Sequence, residues 1–76
     1  MRKHKEYQAL TKNILKAELK RHGVTYRELA ARLEKVGLHE TDKNLANKIS
    51  RGGFSAVFFV ECLDAVGCQT LRLGDA

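Results

Sequence analysis

The sequence predicts an all-α fold, a four- to five-helix bundle in a single domain spanning residues 1–76. Three observations predict it. Apolar residues recur at three- and four-residue spacing in four separate segments, as helices with one buried face require. Each segment closes on a glycine, at Gly23, Gly37, Gly52 and Gly67, and three of them open on Thr or Ser. The chain has no Pro to interrupt a helix. A chain of this length has a small core, which helices burying one stripe each can fill.

The first helix is expected over residues 6–22, where Tyr7, Leu10, Ile14, Leu15 and Leu19 share a face with Lys12, Lys16, Lys20 and Arg21 interleaved. Ahead of it, "MRKHK" reads as a basic arm over residues 1–5. In the second helix, Thr25 and Glu28 have the spacing of a capping box, and Val24 and Leu29 that of a hydrophobic staple. Tyr26, Leu29, Ala30, Leu33 and Val36 form its expected buried face, and Gly37 ends it.

"LHE" leads to Thr41, the cap of a third helix from Asp42 to Arg51 that stops at Gly52-Gly53. Asp42 in its first turn and Lys48 and Arg51 near its last agree with the helix dipole. Ser55 caps a fourth helix, Ala56 to Val66, with Phe54 and Phe59 at staple spacing. "QTLRL", residues 69–73, alternates polar and apolar and reads as a short strand or an extended tail within a tail segment 69–76.

Charge is unevenly spread. The chain carries a net +5, but residues 1–52 hold 13 Lys or Arg against 6 Asp or Glu, whereas residues 53–76 hold 1 against 3. A basic front of this kind suits a polyanionic partner. No signal-peptide run or membrane-length apolar stretch is present, so a soluble cytoplasmic protein without a membrane partner is expected. Cys62 and Cys68 fit a reducing compartment.

Enzyme chemistry is not expected. His4, His22 and His39, with the two cysteines, lack the paired short spacing of a zinc site. "RGGF" follows a helix rather than a strand and lacks the phosphate-loop pattern. Ser50 and Ser55 have no His base, Glu28 is assigned to a cap, and Glu61 and Asp64 pair on a solvated face. No catalytic residue, metal, cofactor or small-molecule substrate is implied.

The third helix is more specific. Projected at about 100° per residue, Leu45 and Ile49 mark its buried side. The opposite arc gathers Lys43, Asn44, Asn47, Ser50 and Arg51, with Lys48 on its shoulder and no acid among them. Solvated helix faces ordinarily mix both signs and avoid the mediocre helix formers Asn and Ser. Asn pairs with adenine and Arg with guanine, while Lys and Ser hold phosphate oxygens. The expected partner is therefore double-stranded DNA. Arg27 and the arm residues Arg2, Lys3 and Lys5 join the expected contact set along the backbone.

In "GVTYRELAARL", Thr25, Glu28, Leu29 and Ala30 occupy the second-helix motif of a family that the chain resembles, the lambda-repressor/Cro-like helix-turn-helix domain. Ile49, Arg51 and Gly52 match the end of its recognition helix. Ser55, Phe59, Cys62, Leu63, Val66 and Gly67 match its following helix, so the resemblance covers about residues 10–68. It implies a DNA-binding transcriptional regulator, with the third helix docked in the major groove. Two departures stand out. Ala30 to Thr41 spans eleven residues where the family uses about six, which implies a longer second helix and an extended helix 2–helix 3 connection. Leu19 and Ser50 replace an Arg–Glu pair. The chain is also similar to a family of small bacterial helical proteins described only as a domain of unknown function.

On the fourth helix, Phe58, Cys62 and Ala65 form an apolar stripe beside the core stripe of Phe59, Leu63 and Val66. A second copy of the chain is the expected cover, giving a homodimer in which Leu71 and Leu73 of "TLRL" pair across the twofold axis. The alternative is a protein-interaction module, antitoxin-like or an accessory subunit, on the same scaffold. An RNA-binding domain is a third possibility, disfavoured because the few aromatics are expected inside.

Overall fold

Four helices run in order through the computed structural model, which describes residues 1–73: α1 (His4–Arg21), α2 (Tyr26–Glu34), α3 (Asp42–Arg51) and α4 (Ala56–Val66). No strand is present among the described residues, so "QTLRL" does not form the expected strand. Residues 74–76 of the expected tail lie outside the described residues. No helix among the described residues is long and apolar enough to cross a membrane.

Each start follows from a local rule. The Oγ1 atoms of Thr25 and Thr41 accept the backbone N–H of Glu28 (3.1 Å) and Asn44 (3.0 Å), and Ser55 Oγ accepts that of Phe58 (3.1 Å). The capping box of α2 is only half formed. The Glu28 carboxylate turns away from the cap and accepts instead from Arg32 Nη2 at 3.2 Å. Both expected staples are in place: Val24 and Leu29 are buried together, and Phe54 stacks on Phe59 at 5.9 Å between ring centroids. α1 begins at His4 with Lys3 as an N-cap that makes no side-chain bond, so the basic arm shortens to residues 1–3 and Lys5 joins the first helical turn.

Three helices end the same way. The N–H of the residue after the glycine reaches back five residues: Val24 to Leu19 O (2.9 Å), Leu38 to Leu33 O (3.0 Å) and Cys68 to Leu63 O (2.9 Å). This is the Schellman closure, and in each case an apolar residue follows the glycine and folds onto the core. At the end of α2 it corrects two expectations. The helix stops at Glu34, so the residues beyond the family's spacing lie mostly in the turn and in the extended segment before Thr41. Val36 falls in the turn and is 70% exposed, while Leu38 takes the inward place assigned to it.

α1 and α2 each pack against α3 and α4, and one apolar cluster joins all four. Leu45 and Ile49 are fully buried, which fixes the inward side of α3 as expected. The stripes of α4 are distributed differently. Phe58 and Cys62 are buried within the chain's own core, Phe59 and Ala65 are half-buried against it, and Val57 and Val60 face outward. The fourth helix presents Phe58 to the cleft between α3 and α4, so the stripe expected to meet a second copy is already covered. Tyr7, expected inside, is 43% exposed near the free end of α1.

Two charged side chains organise the interior edge. Arg32 crosses from α2 to the end of α4, donating from Nη1 to Ala65 O at 2.9 Å and to Val66 O at 3.4 Å. It thereby satisfies carbonyls that the end of a helix leaves open. Glu18 is buried on α1 and pairs with Arg21 at 2.9 Å and His22 at 3.5 Å.

Candidate functional site

The outward side of α3 is the candidate site. Its cap at Thr41 and its left-handed stop at Gly52 (φ 70°) set the ends, and Leu45 with Ile49 sets the rotation. Lys43, Asn44, Asn47, Ser50 and Arg51 are then all exposed. Gly52 is required for two reasons. Its φ is one that L side chains avoid, and a Cβ there would stand 2.7 Å from the backbone oxygen of Gln8. The end of α3 is thus seated directly on the first half of α1.

Lys48 stands apart from this group. Its Nζ lies 2.8 Å from Glu40 Oε2 and 4.7 Å from the centroid of the Phe58 ring. Ion pair and ring hold the ammonium at the shoulder of the face rather than on it. Glu40 is the acid that helical projection misses, because it comes from the connection before α3. Together Glu40, Asn44, Asn47, Lys48 and Arg51 line a shallow depression. A second depression, at the α3–α4 turn, is lined by Lys48, Arg51, Gly53, Phe54, Ser55 and Phe58.

The structure brings the α3 residues together and leaves the others more dispersed. Arg27 is exposed in the first turn of α2. Arg2 and Lys3 precede α1, and Lys5 stands about one turn before Gln8, on the stretch of α1 that abuts the end of α3. Of the residues expected between two copies, Leu71 and Ala65 pack on the chain's own core, and Leu73 is 65% exposed. Leu19 is buried and Ser50 exposed.

The thiols follow their surroundings. Burial pushes the Cys62 thiol up to about 12, with Glu61 and Glu40 adding to the rise and Lys48 opposing it. Burial and then the neighbouring Glu18 raise that of Cys68, whose Sγ donates to Thr70 O at 3.4 Å. Burial also raises the Tyr26 hydroxyl. Among the described residues, no group of three or more His, Cys, Asp or Glu side chains is placed to hold a metal ion.

The sequence model of a domain of unknown function, DUF6471, matches residues 7–71. No curated protein and no solved structure matches the chain.

Proposed function

The chain belongs to the DUF6471 family, a domain of unknown function, and from its surface we propose that it binds double-stranded DNA through the outward side of α3. The observation that carries the proposal is the cluster of Lys43, Asn44, Asn47, Ser50 and Arg51, all exposed on a helix whose opposite side is buried at Leu45 and Ile49, with the neighbouring Glu40 carboxylate engaged by Lys48. In this reading α2 and α3 act as a helix-turn-helix of the lambda-repressor kind, and the chain regulates transcription. Asn44, Asn47 and Arg51 read base edges. Lys43, Lys48, Ser50, Arg27 and the basic N-terminus hold phosphates.

Binding of random duplex, followed by fluorescence anisotropy, should fall steeply with salt, by about 0.9 of a log unit per log unit for each phosphate contact. Asn47→Ala with Arg51→Ala should weaken it without lowering Tm. A folded sample that fails to bind duplex at about 50 mM salt, where such electrostatic contacts are strong, overturns the proposal.

A second reading, a protein-interaction module, is favoured by Val57 and Val60, which stand 68% and 62% exposed one turn apart on α4. A homodimer through α4 would use these valines instead of Phe58 and Cys62. Sedimentation of Val60→Glu tests it, since that change should release monomers from a dimeric wild type without disturbing the core.

A further inference from the structure

We propose that α1 carries a second, sequence-independent contact to the same duplex, a track of Lys5, Lys12, Lys16 and Lys20 that follows one phosphate strand. The inference rests on the DNA-binding reading and extends it to a helix outside the α2–α3 pair.

On a projection of about 100° per residue, the four lysines fall within an arc of roughly 80°. Ala9 lies between them, Asn13 borders the arc, and no acid shares it. Lys5, Lys16 and Lys20 are exposed, and Lys12 is half-buried at the Gly52 contact. Among the described residues none of the four joins an ion pair. Glu18 points to the buried side of α1 and is occupied by Arg21 and His22.

Helix stability does not account for this pattern. Lys12, Lys16 and Lys20 stand four apart, so each neighbouring pair is a like-charge repulsion of a few tenths of a kcal/mol, where an acid at either place would have been favourable. The same spacing suits a phosphate strand. Each four-residue step rises about 6 Å along α1. Successive phosphates of one strand stand about 6–7 Å apart along its own path, although their rise along the duplex axis is only about 3.4 Å, so a helix that follows the strand meets roughly one phosphate per step.

Placement joins the track to the candidate reader. Lys12 lies beside the end of α3, its Cβ 3.5 Å from where a side chain at Gly52 would begin. Lys16 and Lys20 line a depression with Leu19, Val24, Thr25 and Tyr26, against the first turn of α2. The lysines therefore run from the exit of one helix of the pair to the entrance of the other.

The test compares wild type, Lys16→Gln/Lys20→Gln, Lys16→Arg/Lys20→Arg and Asn47→Ala/Arg51→Ala. Each is titrated over a range of salt against random duplex and against a duplex obtained by unbiased selection on the wild type. The Gln variant should lower the log–log salt slope by about two and weaken binding roughly tenfold per substitution at ~0.1 M salt, equally for both duplexes. The Arg variant should restore slope and affinity, and Tm should not fall in either. A Gln variant with wild-type slope and affinity overturns the track while leaving the α3 reading intact. Loss of binding in the Gln variant but not in the Asn47/Arg51 variant supports the track and overturns α3 as reader. A wild type that binds no duplex overturns both.

Discussion

Lys48 and Glu40 form a bridge across the entrance of α3, Nζ to Oε2 at 2.8 Å, with the Phe58 ring beneath the ammonium. Both side chains are partly solvated, so the pair adds no more than about 1 kcal/mol to stability. Its larger effect is on the surface potential, because Glu40 is the one carboxylate in the depression with Asn44, Asn47 and Arg51. Glu40→Gln should therefore lower stability by less than about 1 kcal/mol while raising affinity for duplex several-fold, more at low salt than at high. Urea unfolding and anisotropy on the same sample check both halves.

Gly52→Ala should destabilise the chain by about 2 kcal/mol or more, combining the strain of a left-handed alanine with the close approach to the Gln8 carbonyl. Gly37→Ala, whose Cβ would meet nothing within 4 Å, carries the left-handed strain alone and should lose less. Thermal melts of the two variants under one set of conditions give the comparison.

Arg32→Met keeps most of the apolar stem and removes the bonds to Ala65 O, Val66 O and Glu28. A loss of about 1–3 kcal/mol is expected, since donors to the end of α4 vanish from a partly buried place. Duplex affinity at a temperature where the variant is folded should match wild type. A marked loss of affinity would put Arg32 at the DNA surface instead.

Alkaline stability should report on Cys62. Its thiol is raised in the folded chain to about 12 from an ordinary value of 9.0. Between these values the unfolded chain has released a proton that the folded chain still holds, so stability is complete below about pH 9 and falls as pH climbs towards 12. Cys62→Ala should lower stability at neutral pH by leaving a cavity, but should flatten this alkaline decline. Chemical unfolding of both proteins across that pH window measures the difference.

Much of the fold was legible because each helix announces its own ends. Thr25, Thr41 and Ser55 are caps with bonds of 3.0–3.1 Å, and the inward positions Leu29, Leu33, Leu45 and Ile49 are buried as their spacing predicts. Misassignments came where partners distant in sequence decide the outcome. Periodicity alone leaves Phe58 and Cys62 for a second copy to cover, because it cannot show that α4 packs against both α2 and α1. Helical periodicity puts Val36 inside, but α2 ends at Glu34 and Val36 falls in the turn that closes at Gly37. The roles of Arg32 and Glu40 were invisible for the same reason, since an arginine that crosses 33 residues to a carbonyl leaves no mark in a local window. The α3 face itself was readable, being a matter of one helix and its two apolar anchors. Its neighbours on α1 were written in the same sequence, but their relevance depends on Gln8 and Lys12 meeting Gly52.

The seat of Gly52 on Gln8 has a consequence for variation. With α3 pinned at its exit by that contact, at its entrance by Thr41, and in rotation by Leu45 and Ile49, five outward positions make no demand on the scaffold. Lys43, Asn44, Asn47, Ser50 and Arg51 form an interchangeable set, which substitution can rewrite while the frame beneath them keeps its shape.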